Sequence, residues 1–275
     1  MSSKPHRLSP SIVLSDDDFK TLLNYFDRSW SGYRRVRKGV IRRVRQHMAS
    51  VQCKTVNMYI DRLEKEPELQ AACESLFNVT ISRFFRDRQL WHYLRDYCLP
   101  QLVQQFPSPI KIWSAGCACG EEPYSIAILW SSLNLQAQLD ILATDAQQIC
   151  LDRAQSGCYS KSSLKEVPTD MLTSCFEPVP ETNEYAILPD CKKTIRWQQA
   201  DLLESMPQEQ FHLILLRNSV LTYFRGDKKE ITFNKILHQL HPSGFLAIGS
   251  HEQLPMQTQH LHRSEKCPMV FRRTR

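Results

Sequence analysis

The stretch from Ile110 to Trp130 constrains the fold of this 275-residue chain more than any other. It reads Ile-Lys-Ile-Trp-Ser-Ala-Gly-Cys-Ala-Cys-Gly-Glu-Glu-Pro-Tyr-Ser-Ile-Ala-Ile-Leu-Trp. An apolar run ends at Ser114, small residues follow from Ala115 to Gly120, and an apolar helical pattern closes the stretch. The order predicts a strand, a tight turn and a helix. Pro123 suits the first helical turn, where its missing N–H costs nothing, and Glu121 and Glu122 sit well at the positive helix end. With Ala115, Gly116 and Gly120 in the turn, a ligand can approach the backbone closely, and the acids beside it can accept hydrogen bonds from hydroxyls or an ammonium group. There is no Gly-x-x-x-x-Gly-Lys-Ser/Thr pattern, and two carboxylates at the helix entrance would repel a pyrophosphate. The chemistry favours a neutral or cationic cofactor that carries ribose, and S-adenosylmethionine has both properties. Taken alone, such a turn also serves purely structural ends in many α/β proteins.

The chain is long enough to bury a large core and to form one large domain with a smaller one. Its net charge of +6 makes a mildly basic surface, too weak on its own to argue for nucleic acid. The opening Met-Ser-Ser-Lys-Pro-His-Arg lacks the apolar core of a signal peptide, and no apolar run approaches the roughly 18 residues of a membrane helix. A cytoplasmic protein without membrane insertion is expected. The 10 cysteines are scattered, with no Cys-x-x-Cys pair and no zinc-finger histidine spacing, so reduced and mostly buried thiols are expected rather than a metal site or disulfides. Cys117 and Cys119 lie inside the proposed cofactor turn, either as simple small residues or as a point of sensitivity to oxidation.

The preceding residues read as an all-helical domain over 1–77. Ser15 offers an N-cap for a helix over 16–28. A second helix is predicted from Tyr33 to Met48, with Val36, Val40, Ile41, Val44 and Met48 on one face. Arg34, Arg35, Arg37, Lys38, Arg42, Arg43 and Arg45 fill its other positions, with no acid among them. This face is either simply solvated or a docking surface for an acidic partner. An acidic helix and a nucleic acid are both admissible on charge alone. Short helices are predicted from Asn57 to Leu69 and from Leu69 to Phe77, and residues 78–109 form a linker and connecting helix. From 110 to 275 strands alternate with helices, which predicts an open, mostly parallel α/β sheet with helices on both faces and a ligand over the carboxyl ends of its strands. The strand Leu139 to Thr144 ends in Asp145, placed either for ribose hydroxyls or as the N-cap of a helix starting near Ala146; both roles can hold at once. Prolines and alternating stretches mark a small β-rich insertion over about 160–200, with strands at 184–188 and 194–199. Further strands are predicted over 212–216, 245–249 and 269–272.

The wording of several segments resembles the CheR-type methyltransferases, which transfer a methyl group from S-adenosylmethionine to glutamate side chains of bacterial chemotaxis receptors. The matches are Trp-Ser-Ala…Gly-Glu-Glu-Pro-Tyr-Ser-Ile-Ala in the central stretch, Asn-Val-Thr-Ile-Ser-Arg-Phe-Phe-Arg-Asp at 78–87, and Asp-Arg-Ala-Gln-Ser-Gly-Cys-Tyr at 152–159. Arg-Asn-Ser-Val-Leu-Thr-Tyr-Phe at 217–224 is another. Gly-Ser-His-Glu at 249–252 is close to the family's Gly-His-Ser-Glu with the middle pair exchanged, and the insertion lacks the glycine-rich turn often found there. The resemblance implies a Rossmann-like class I methyltransferase sheet. It places Thr80, Ser82, Arg86, Asp201, Leu202, Arg217 and Asn218 beside the cofactor, with Arg86 also at the target carboxylate and Tyr223 near the reacting methyl group. S-adenosylhomocysteine would be the product, an acidic helical protein such as a chemoreceptor cytoplasmic domain the partner, and a monomer the working form.

Such a reaction needs little acid–base machinery, because a carboxylate is already ionised near neutral pH and has only to be aligned with the sulfonium and shielded from water. Two other readings fit the sequence: a methyltransferase acting on another protein or a small molecule, and an inactive cofactor-binding regulator that uses the basic helix.

Overall fold

The computed structural model describes residues 13–255 and 260–274, so the N-terminal stretch read for a signal core lies outside the described residues. The chain divides into two compact units, residues 1–79 with 223–225, and residues 80–222 with 226–275.

The first unit is helical: α1 (Asp16–Tyr25), α2 (Trp30–Tyr33), α3 (Arg37–Ser50), α4 (Val56–Leu63) and α5 (Pro67–Ser75). Ser15 caps α1 through a reciprocal box with Asp18, and three acids occupy the first turn, favourable at the positive helix end. The helix stops short of the expected residue 28 because Asp27 adopts a left-handed φ of 53°. The helix expected from Tyr33 begins instead at Arg37, after the separate turn α2, and runs on to Ser50. Val40, Val44 and Met48 still form its buried stripe. The helix expected over 57–69 ends at Leu63, since Glu66 precedes Pro67 and is held extended at φ −123°, ψ 89°. Phe19, Tyr33 and Phe77 centre the core, with Phe19 stacked on Phe77 at 6.0 Å and edge-on to Tyr33 at 6.1 Å. The segment 223–225 joins this unit by backbone pairing: Ser29 N donates to the Tyr223 carbonyl at 2.9 Å and Arg225 N to that of Asp27 at 3.0 Å.

The second unit begins with the connecting helix, which is broken in character: α6 (Arg88–Tyr93), a π-helical turn over Leu94–Cys98, and α7 (Leu99–Gln105). The wide turn falls just before Pro100, whose missing N–H cannot continue the regular ladder. Then follow β1 (Ile110–Ala115), α8 (Glu121–Ser132), β2 (Leu139–Asp145), α9 (Gln148–Ser156), β3 (Cys158–Ser160), α10 (Thr169–Cys175), β4 (Phe176–Pro178), β5 (Glu184–Ile187) and α11 (Pro189–Lys192). The chain continues through β6 (Ile195–Gln199), β7 (Phe211–Leu216), α12 (Val220–Tyr223), α13 (Gly226–His238), β8 (Leu240–Ile248), β9 (Leu261–Arg263) and β10 (Val270–Arg273).

The main sheet has 7 strands in the order β6-β2-β1-β7-β8-β10-β9. From β6 to β8 every pair is parallel, while β10 runs antiparallel to both β8 and β9. The expected open, mostly parallel sheet is present, with β7 buried at every position, as a central parallel strand must be. Residues 194–199, expected in the insertion, belong instead to this sheet: β6 pairs with β2 from Ile195↔Ile141 to Gln199↔Asp145. The insertion is the three-stranded antiparallel sheet β3-β5-β4. The order of strands reverses between β1 and β7, so the carboxyl ends of these two strands and of β2 open the crevice where α/β sheets bind ligands.

Candidate active site

The turn after β1 is built from backbone that side chains resist. Gly116, Ala118 and Gly120 have φ of 85°, 49° and 91°. A Cβ on Gly120 would also stand 2.7 Å from the Ala154 Cβ and 2.9 Å from Trp197 and the Tyr159 hydroxyl, so only glycine lets α8 start where it does. The turn is anchored to β2. The N–H groups of Gly116 and Cys117 both donate to the Thr144 carbonyl at 2.9 Å, and Ala118 N donates to Asp145 Oδ2 at 2.8 Å. The other Asp145 oxygen accepts from Gln147 N at 3.0 Å. Asp145 is therefore not the cap of α9, whose flanking residue is Gln147; it ties the glycine turn to the loop after β2. Leu202 and Ser219 border Gly116, within 3.9 Å and 3.0 Å of where its Cβ would be, and Asp201 lies close enough to raise the Asp145 carboxyl.

One carboxylate here is short of a partner. Glu121 is buried, and its Oε2 has no hydrogen-bond partner among the described residues. Burial pushes its carboxyl up, opposed by its own helix-end backbone, Arg153 and a hydrogen bond from Ser82. Burial likewise raises Asp145, against its two backbone donors. A buried acceptor without a donor, beside a second acid and a backbone cradle, suits a ligand that brings an ammonium group and hydroxyls. S-adenosylmethionine fits this donor set, with Glu121, Asp145 and the Gly116–Gly120 turn as the residues that would hold it.

Arg86 stands on a strained loop, with φ of 50° at Phe85 and 67° at Asp87. The loop is held at several points. Phe85 N donates to Ser125 Oγ at 3.0 Å, and Trp91 Nε1 donates to the Arg86 carbonyl at 2.7 Å. Buried Arg217, at the end of β7, donates at 2.8 Å to Glu122, to Asp87 and to the Arg86 carbonyl. Glu122 in turn accepts from Ser114 Oγ at 2.7 Å. Its carboxyl is pushed up by burial and pulled down by Arg217. The Arg86 side chain opens into a cleft of about 440 Å³ lined also by Ile81, Arg83, Asp87, Arg88 and Glu166.

The model of the CheR methyltransferase family's S-adenosylmethionine-binding domain matches residues 80–270. This chain belongs to the CheR methyltransferase family. A chemotaxis protein methyltransferase of Listeria innocua is 34% identical over 200 residues, 73% of this chain and 75% of that protein. Chemotaxis protein methyltransferase 2 of Vibrio cholerae is 28% identical over 256 residues, 88% of each chain. Like its family, this CheR-family chain is an S-adenosylmethionine-dependent methyltransferase with the Rossmann-like sheet of that class.

Of the residues singled out in the sequence, Ala115, Gly116, Gly120, Glu121, Asp145 and Leu202 gather around the glycine turn, and Ser82 reaches Glu121. Asp201 accepts from Leu203 N at 2.8 Å. Thr80 is exposed at the start of the loop. Arg217 is held within the protein: both ends of its guanidinium are occupied by Glu122, Asp87 and the Arg86 carbonyl, so it fixes the Arg86 loop. Asn218 adopts a left-handed φ of 53° next to Gly249, where an added Cβ would be 3.1 Å from its Oδ1. Tyr223 belongs to the helical unit, its ring 4.9 Å from that of Tyr33.

Sequence reasoning missed Glu122, Asp87 and Glu252 as positioning residues. Glu252 is buried and accepts from Gly249 N at 2.6 Å and Thr222 Oγ1 at 2.5 Å, joining α12 to the loop after β8. Its place in the 249–252 segment was the available signal. Asp87 closes the 78–87 segment, but its partner Arg217 is far away in sequence, so the pairing itself left no signal.

The basic face of α2 and α3 is less uniform than its sequence. Arg43 donates to the carbonyls of Leu76 and Asn78 at 2.7 and 2.9 Å, and Arg37 pairs with Asp16 of α1 at 2.9 Å. These two serve the helical fold. Arg34, Arg35, Lys38 and Arg42 are exposed, and Arg45 is half-buried. The thiols include no cystine: all ten cysteines are free, nine of them buried and Cys158 half-buried. Cys117 is buried and burial pushes its thiol well up, so it stays protonated and acts as a small apolar residue of the turn. Among the described residues no cluster could hold a metal ion, and no helix is long and apolar enough to cross a membrane.

Proposed function

We propose that this enzyme is a protein-glutamate O-methyltransferase that forms a glutamyl methyl ester on a chemoreceptor-like acidic protein. The observation that carries the reading is Arg86, whose backbone is locked by Arg217 and Trp91 while its side chain opens into an arginine-bearing cleft. A guanidinium carried on a fixed backbone is a charged clamp for a carboxylate. When bound, the cofactor supplies an electrophilic methyl group on a sulfonium. Glu121 and Asp145 accept hydrogen bonds from the cofactor's ammonium and hydroxyl groups, Thr80, Ser82, Asp201, Leu202 and Asn218 line its pocket, and Arg86 aligns the target carboxylate. A glutamate, with an ordinary pKa of about 4.3, arrives ionised, so no residue of the chain has to remove a proton. That economy favours a carboxylate acceptor over an amine. The exposed cations Arg34, Arg35, Lys38 and Arg42 would recruit the acidic helical acceptor.

The test uses cofactor labelled in the methyl group, the purified enzyme and a purified chemoreceptor cytoplasmic domain. Label that enters the acceptor and leaves as methanol in mild alkali supports the ester. Alkali-stable label would replace it with N-methylation, and absence of transfer to any acidic protein would remove it.

A further inference from the structure

The cleft at Arg86 adjoins a second cavity. This one holds about 450 Å³, shares Arg88 and Glu166 with the first, and continues to Trp91 and Met171. Arg88 and Glu166 are only loosely paired, at 3.9 Å. The inner walls are apolar: Phe85, Trp91, Leu129 and Met171. The rim is cationic, with Arg88 and Lys165 exposed, while Arg95 is bonded to Asp96 at 2.6 and 3.0 Å.

Two features decide what this shape fits. An apolar interior of this size takes a large side chain, and a cationic rim favours an anionic surrounding. The cavity also touches the groups that hold Arg86. Phe85 and Trp91 pack edge-on at 5.2 Å, Trp91 bonds the Arg86 carbonyl, and Arg217 lies 5.9 Å from the Trp91 ring. An occupant therefore packs directly against the backbone support of the carboxylate clamp. We infer that this cavity takes an apolar side chain of the methyl acceptor, flanked by acidic residues, while the target carboxylate lies in the adjoining cleft at Arg86. The inference rests on the protein-ester reading and makes acceptor choice depend on an apolar anchor near the glutamate as well as on charge. Filling the cavity completes the packing around Phe85 and Trp91, so a correct acceptor steadies the loop that aligns it.

The test is binding, so it does not depend on turnover. Fluorescein-labelled, alanine-based helical peptides carry one target glutamate, two flanking acids, and a phenylalanine or alanine placed at each position within four residues of it. Anisotropy is read on the enzyme saturated with S-adenosylhomocysteine. For at least one placement the phenylalanine peptide binds about tenfold more tightly than its alanine partner. Thr169→Trp, which fills the cavity from its exposed edge, removes that preference, and Lys165→Glu weakens every peptide of the series about threefold. Calorimetry shows unchanged cofactor affinity in both variants. Equal binding of phenylalanine and alanine peptides at all placements, or a preference that survives Thr169→Trp, overturns the anchor. Ester formation on a receptor domain without any such preference removes the anchor alone; a preference without ester formation keeps the anchor and removes the glutamate reading.

Discussion

At Glu121 the demands of folding and of the proposed cofactor contact pull in opposite directions. Its carboxyl is buried with one oxygen unpartnered, so burial raises its pKa in the folded protein. The sign follows: the folded state holds this proton more tightly than the unfolded chain does. The stability from that proton is complete below the unfolded value of about 4.3 and is lost as pH rises through the raised folded value. At neutral pH the buried charge is a net cost to the cofactor-free enzyme. Glu121→Gln should therefore raise the thermal midpoint at pH 7 by about 2 °C and flatten its dependence on pH in the acid range, while weakening S-adenosylmethionine by about tenfold. Calorimetric scans with and without cofactor check both halves; a lower midpoint without cofactor would show that Glu121 is already satisfied by the protein. Arg86→Ala should lower kcat by at least about a hundredfold with cofactor affinity kept, because its support network is backbone and survives the truncation. Asp145→Ala should do the reverse, weakening cofactor first, as titration calorimetry would show. The acids of the glycine turn were legible because a short motif places them on adjoining positions. Asp87 and Arg217 were not, since nothing local in sequence announces an ion pair between a loop and a strand end so far apart.

Elements place these residues, and two of them bear most of the strain. Gly120 combines a left-handed φ with a Cβ position filled by Ala154, Trp197 and Tyr159. Gly120→Ala should destabilise the enzyme by about 3 kcal/mol, from the backbone penalty and overpacking together, and chemical denaturation measures it. The Arg217 network joins β7, α8 and the Arg86 loop. Arg217→Met leaves the half-buried Glu122 and Asp87 without their cation, a loss of about 2–3 kcal/mol, and adding Glu122→Gln should recover part of it. A double mutant no more stable than Arg217→Met would mean that the pair is not coupled. The strand–turn–helix of 110–132 was readable because period, turn residues and helix-start signals agree there. The strand 195–199 was assigned to the wrong sheet for a physical reason: as an edge strand it buries only Ile195, and its alternating pattern is indistinguishable from that of a solvated insertion. The late start of α3 was hidden because Tyr33 and Val40 keep helical spacing across the separate turn α2.

For the molecule as a whole, the question is how a chain with net charge +6 would select the acidic acceptor proposed for it. The charge that matters is the part not consumed by the fold. Arg43 is tied to the carbonyls of Leu76 and Asn78 and Arg37 to Asp16, so they hold the helical unit together and contribute less to recruitment. Arg34, Arg35, Lys38 and Arg42 remain exposed with no acid bonded to them among the described hydrogen bonds. Exposed charges act over about 8 Å at physiological ionic strength and about 30 Å at 0.01 M, so their effect belongs to encounter with the acceptor rather than to chemistry. Replacing these four by glutamine should raise the acceptor KM about tenfold at low salt and leave kcat and cofactor affinity as they are. The difference from the unaltered enzyme should shrink as salt rises to 0.5 M. Arg43→Gln should instead lower the thermal midpoint, because it strips two buried-side carbonyls of their donor, and should change KM little. Initial rates across a salt series with the receptor domain as acceptor separate the two. If Arg43→Gln raised KM as much as the fourfold variant, or if the fourfold variant kept its defect at high salt, the exposed face would not be acting by long-range attraction. Recruitment would then have to come from apolar contacts, and the cavity behind Phe85 would be the first place to look for them.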